Sequence, residues 1–459
     1  MIRKTFALLT ALLLVTSLPL AVFADTWYLE DGDITVSANE SGQTVAQGET
    51  SKTDNNPTIT QRNNSKTTDN TITIKTEDNA TANVTIEDVN IKADKPGIDV
   101  RNSSSLNLTV KGENKIENTS EGDMSTAGIH VSTGSLTITG ATEQDKLDVT
   151  ADSAAAIGSN YNKEMRGSIS IKDKANVTAT TTGNYAGAGI GSGMNGEMSG
   201  EINIENNATV NATSVGVGSG AAIGTGCYGE MSGSISIKDE ANVTATTTGG
   251  PGSGAGIGSG MNGEMSGEIN IENNATVNAT SSAFDSGAGI GSGAGDGTKM
   301  SGTISISTKA TIDANSKGDN SGDDIGAGAR GTNTGTIRYF DPNPAPTQPE
   351  PAEPKVESAA IYQVVNEDGV SMGYTSAVKD GALTITVKGD YARLTGSVAS
   401  LATLASWGYS AITLVTDNAT STFALADLQA KGPGTYALTH SGQEVTLTLN
   451  GEALAGILK

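Results

Sequence analysis

Ser168-Ile169-Ser170-Ile171-Lys172, followed by Ala175-Asn176-Val177-Thr178-Ala179, returns one period later as Glu201-Ile202-Asn203-Ile204-Glu205 and Ala208-Thr209-Val210-Asn211-Ala212. Each segment alternates apolar and polar residues, the pattern of a half-buried β-strand. The segments are too short and too rich in Thr for helices. Gly, Asn and Asp punctuate them. A third element accompanies each pair, an Ile set among small residues. It recurs at Ile98, Ile129, Ile157, Ile190, Ile223, Ile257, Ile290 and Ile325, with spacings of 31, 28, 33, 33, 34, 33 and 35 residues. One repeat is therefore three short strands joined by turns. Stacked repeats of this kind predict an all-β chain folded as a parallel β-helix of about 33 residues per coil, each coil rising about 4.8 Å.

The columns of that stack follow from the period. Ile169, Ile202, Ile235, Ile269 and Ile304 share one. Ile171, Ile204, Ile237, Ile271 and Ile306 share the next, and Val177, Val210, Val243, Val277 and Ile312 a third. These aliphatic ladders supply a core to a chain with only 4% aromatic residues. Outward, Lys172, Glu205, Lys238 and Glu272 alternate in sign, which favours one register between near-identical coils. Residues 167–213 are nearly repeated at 233–280. Duplication of a two-coil cassette favours a scaffold, or a small site shown several times, over one irreplaceable catalytic centre.

Working outward, residues 1–24 read as a secretory signal: Arg3 and Lys4, an apolar run from Phe6 to Val22, and a small-residue cleavage site at Ala24. No other stretch is long and apolar enough to span a bilayer. Residues 25–65 are polar and read as a strand-containing N-terminal cap, and residues 66–340 as the β-helix. Residues 341–354 carry alternating Pro and form an extended spacer. Residues 355–459 follow another grammar, strands around a helical spacing of Val398, Leu401 and Leu404, and predict a small α+β domain.

Composition removes several functions. The 459 residues include one Cys and two His, too few for a disulfide scaffold or a Cys/His zinc site. The net charge is −23, and the two cations of the signal take the mature chain to −25. Such a surface repels nucleic-acid phosphate. The Gly-rich runs 187–193 and 254–260 match loose phosphate-loop patterns but lack the following helix. His130 and His440 lie in different domains and read as ordinary structural or surface residues.

Two turn columns hold the candidate site. Glu164, Glu197, Glu230 and Glu264 each precede a Met. Stacked carboxylates repel unless they are solvated or bridged, and Ca²⁺ is the ion that bridges such oxygens. Just before them, Tyr161, Met194, Cys227 and Met261 align, with Tyr228 alongside. An aromatic ring beside acids and amides suits sugar recognition, since its face packs on pyranose C–H groups.

Leu106–Gly112, Ala127-Gly128-Ile129-His130-Val131, Gly134–Gly140 and Ala156-Ile157-Gly158 resemble secreted carbohydrate-binding-domain repeat proteins of gut Clostridia. That resemblance covers roughly residues 65–340. It implies a pectate-lyase-like right-handed β-helix, polysaccharide as partner, sometimes with calcium, and the surface of a Gram-positive bacterium or its surroundings. It carries no ligand residue over to this chain. The expected function is a secreted, non-catalytic β-helix that binds polysaccharide. The alternative is a structural spacer or adhesin stalk that displays the C-terminal domain, and a polysaccharide lyase or hydrolase ranks last.

Overall fold

The computed structural model describes residues 24–341, apart from 78, 79 and 141, and residues 362–458, apart from 368, 371, 373, 380 and 407. Residues 1–23 of the expected signal and most of the Pro-rich segment lie outside the described residues. The chain divides into two compact units, Met1–Asn343 and Pro344–Lys459.

The first unit is a parallel β-solenoid of about eleven coils. Three sheets run along it, of eleven, eight and twelve strands. The first sheet starts at Thr26–Tyr28 and ends at Thr336–Phe340. The second runs from Asn90–Ala93 to Thr311–Lys317, and the third ends at Ile325–Gly326. Coil-to-coil pairing is parallel, and the sequence period sets its register. Ile202 pairs with Ile169 and Ile235, and Val210 with Val177 and Val243. Ile190 pairs with Ile157 and Ile223. These side chains are fully buried, and burying each contributes about 1.5–3 kcal/mol. At the last coil the ladders open, and Ile312, Ile325 and Ile337 are only partly buried.

The solenoid begins earlier than residue 66. Thr26–Tyr28 and Ile34–Asn39 already pair in parallel with Thr58–Thr60 and Ile72–Thr76. The antiparallel element is confined to Gly42–Gln47 and Thr50–Thr53, which extend the third sheet beyond Ile34–Asn39. Strands are expected here from the sequence, but their place in the stack is not, because Thr26–Tyr28 and Ile34–Asn39 lack the repeat motif. Between coils, the expected charge alternation includes one ion pair, Lys238 Nζ to Glu205 Oε2 at 3.1 Å.

In the second unit, Tyr362–Val365, Tyr391–Ser397, Thr435–Ser441, Glu444–Leu449 and Glu452–Ala453 form an antiparallel sheet. Thr375–Lys379, Ala382–Thr386, Ala411–Val415 and Thr420–Ala424 form a second sheet. Short helices span Ser400–Ser406 and Leu425–Gln429. Phe423 and Tyr436 meet edge to face, with centroids 5.5 Å apart, inside the core. Among the described residues no helix is long and apolar enough to cross a membrane.

Candidate functional site

The coil corner that follows each short Ile-Gly strand holds both turn columns. Met165, Met198, Met231, Met265 and Met300 bridge one another from coil to coil and are fully buried. This apolar row fixes the corner, so Glu164, Glu197, Glu230 and Glu264 stand in register just before it. The next member of that column is Lys299, so the acidic row ends in a cation.

The carboxylates do not gather. Arg166 Nη2 lies 2.6 Å from Glu164 Oε2, and Ser199 Oγ donates to Glu164 Oε1 at 2.6 Å. Those two partners hold the Glu164 carboxyl below the usual carboxylate range. Glu197 and Glu230 are exposed and Glu264 is half-buried. Among the described residues, no three His, Cys, Asp or Glu side chains come together in a way that holds a metal ion. Of the two arrangements left open by the sequence, solvated or bridged, the described residues show no cluster of carboxylates for Ca²⁺ to bridge. Water-exposed turns let like charges splay apart instead.

The aromatic column is more informative. Asn162, Asn195 and Asn262 occupy one turn position with φ near +57°, and Tyr228 fills the same position with φ 63°. Backbone bonds confirm the alignment: Asn162 N donates to Met194 O, Asn195 N to Cys227 O and Tyr228 N to Met261 O. Asn tolerates the left-handed region, whereas a bulky ring there is strained. Tyr161 stands one position before this row, two coils from Tyr228. Tyr161 accepts a long hydrogen bond from Asn195 Nδ2 at 3.4 Å. Its bond with Asp123 pushes its phenol up.

Tyr228 meets a residue that the sequence pattern did not single out. Cys227 N donates to Ala186 O at 3.0 Å, which lays the corner of one coil beside the loop of the coil before. Tyr185 in that loop stacks on Tyr228, with centroids 6.2 Å apart and planes 25° from parallel. The two residues are 42% and 45% exposed. Tyr185 also has a left-handed backbone, φ 54°, where later coils have Gly218, Gly252 and Asp285. An aromatic in a column of Gly and Asp was the available signal. A Cβ at Gly218 would meet Tyr185 Cδ1 at 2.7 Å and Met261 Cε at 3.1 Å, so the glycine leaves the room that these two side chains fill. Val217 and Phe284, one position earlier in the same loop of their coils, are exposed as well.

Tyr228's phenol is raised by burial and by Cys227 and Tyr185, against a hydrogen bond with Asn262. The corner thus presents two ring faces, a thioether and amide groups, with Glu230 two residues after Tyr228. Cys227 itself is fully buried, and burial pushes its thiol up to about 12, which leaves no activated nucleophile. No family model matches the chain, and no curated protein or solved structure shows significant similarity to it.

Proposed function

We propose that this chain is an exported β-solenoid that binds polysaccharide at the corner built by Tyr185 and Tyr228. The observation that supports it is the exposed, stacked tyrosine pair, both members of which keep strained backbones. Strain of about 1–3 kcal/mol per residue persists only where surrounding structure imposes it, and it concentrates at functional sites. Stacked rings offer flat faces to the C–H side of a pyranose. Asn262 and Glu230 offer hydrogen-bonding groups for its hydroxyls. The net charge of −23 favours uncharged glycans over uronate polymers. In this reading the coil is right-handed, and residues 1–24 direct export to a bacterial surface.

A glycan-array screen of the full chain, with and without calcium, tests the reading. Saturable binding to neutral glycans that Tyr185→Ala and Tyr228→Ala both abolish is expected. Absence of binding to every glycan would overturn it and leave the second reading, a stalk that projects residues 362–458. That reading draws on the near-identity of residues 167–213 and 233–280.

A further inference from the structure

We infer that Ser132, His130 and Asp99 form a nucleophilic site that hydrolyses small carboxylic esters, separate from the tyrosine corner. Asp99 lies in Ile98–Val100 and His130 in Ile129–Val131, and the two are directly paired across neighbouring coils. In both strands the flanking residues are buried and the middle one is not, so both side chains face outward. Ser132 follows His130 by two residues and shares its face.

The distances are those of a relay. His130 Nδ1 lies 2.7 Å from Asp99 Oδ1, and His130 Nε2 lies 2.7 Å from Ser132 Oγ. Arg101 Nε donates to the other carboxylate oxygen, Asp99 Oδ2, at 2.7 Å. Burial pushes the Asp99 carboxyl up, but the hydrogen bonds from His130 and Arg101 outweigh it and hold it below its ordinary value. An ionised carboxylate only accepts hydrogen bonds. In the neutral ring Nδ1 therefore carries the proton, and Nε2 accepts from the Ser132 hydroxyl. That is the tautomer a general base needs, with the carboxylate orienting the ring.

Two further features make the arrangement usable. In the next coil His130 is paired with Gly158, so the residue directly opposite on that side adds no side chain over the ring. Ser132 is followed by Thr133 and Gly134 in a bend. Their counterparts one coil on, Arg166 and Gly167, both donate backbone hydrogen bonds to Ser132 O. Among the described residues' backbone bonds, none is donated by the N–H of Thr133 or Gly134. The developing oxyanion is assigned to these two N–H groups, which requires them to turn from the seam between coils towards the Ser132 hydroxyl. Thr133, Gly134 and Gly158 offer no apolar wall for a long chain, so the acyl group is short.

In the first step Ser132 Oγ attacks the ester carbonyl and its proton passes to His130 Nε2. The C–O bond to the alcohol breaks, and His130 returns the proton to the leaving oxygen. Water then attacks the acyl-Ser132 carbonyl and gives a proton to His130. The acid leaves, and the proton returns to Ser132 Oγ.

The full chain is treated with a fluorophosphonate probe, mapped by peptide mass, and assayed with p-nitrophenyl acetate. Labelling at Ser132 is expected, and Ser132→Ala and His130→Gln should each abolish it and slow hydrolysis at least about 100-fold. Asp99→Asn should lower kcat by a similar factor while KM stays within about twofold, as expected for a group that orients the base. Circular dichroism checks that each variant keeps its β content. No probe on Ser132 in the folded chain, or undiminished hydrolysis by Ser132→Ala, would overturn the inference.

Discussion

A Cβ on Gly224 would lie 1.8 Å from the carbonyl oxygen of Gly258 in the next coil. The same contact recurs from Gly158 to Gly191, from Gly191 to Gly224 and from Gly258 to Gly291. Each of these glycines has φ between 135° and 141°, a region closed to other residues. The Ile-Gly pair thus turns the coil sharply while its Ile fills the core. Because the clash is with backbone, no side-chain rotation relieves it.

Gly224→Ala should therefore destabilise the solenoid by about 3 kcal/mol or more, combining a forbidden φ with overpacking. Urea unfolding read by circular dichroism measures this. A loss below about 1 kcal/mol would show that the coil backbone shifts freely, against the tight stacking described here.

The tyrosine corner predicts an exchange of stability for binding. Tyr228→Asn installs the residue that holds this turn position in three other coils. It should raise stability by about 0.5–1 kcal/mol through relief of backbone strain. The same variant should lose glycan binding, because the stacked face is gone. Calorimetry on Tyr228→Asn beside the parent reads both. Lower stability together with unchanged binding would remove the ring from the site.

The solenoid was legible because its ladders repeat: Ile169, Ile202 and Ile235 sit one beneath another once the period is known. What stayed hidden was whatever breaks the period or crosses it. Thr26–Tyr28 and Ile34–Asn39 belong to the stack but lack its motif. Tyr185 and Tyr228 lie 43 positions apart in the chain, and only the lateral contact of a loop with the next corner brings them together. Asp99 and His130 are cross-coil partners in irregular early coils, where spacings of 31 and 28 blur the columns. The Glu column was visible, but whether carboxylates converge or splay depends on turn geometry that spacing does not encode.

His440 predicts a pH response in the second unit. It is fully buried, with Nε2 2.7 Å from Ser421 Oγ and Nδ1 3.1 Å from Thr416 Oγ1. Burial lowers its proton affinity. The unfolded chain therefore binds the proton more readily than the folded unit does. The stability that His440 confers is complete above the ordinary His value of about 6.5 and is lost as pH falls from there towards the folded value. Thermal unfolding of this unit should shift down as the pH falls below about 6.5, and His440→Gln should flatten that slope. An unaltered slope in the variant would assign the response to other groups.

Cys227 offers a report on the same corner from the inside. Its thiol is fully buried one residue before Tyr228, and burial carries it to about 12 against an opposing hydrogen bond from the Tyr228 backbone. Because the folded value is raised, the neutral thiol is the stable form. Its contribution to stability is whole below the ordinary thiol range and declines as pH rises through it. At pH 8 a disulfide reagent finds neither thiolate nor access, so the native chain should react at least about a hundredfold more slowly than the chain in denaturant. Reaction then requires local opening of the corner. Gly224→Ala, three residues away and next to the same turn, should accelerate it, while Ser132→Ala in a distant coil should not. Rapid stoichiometric labelling of the native chain would mean that the corner is open in solution. The Tyr185–Tyr228 stack would then lack the rigid floor on which a sugar-binding face depends.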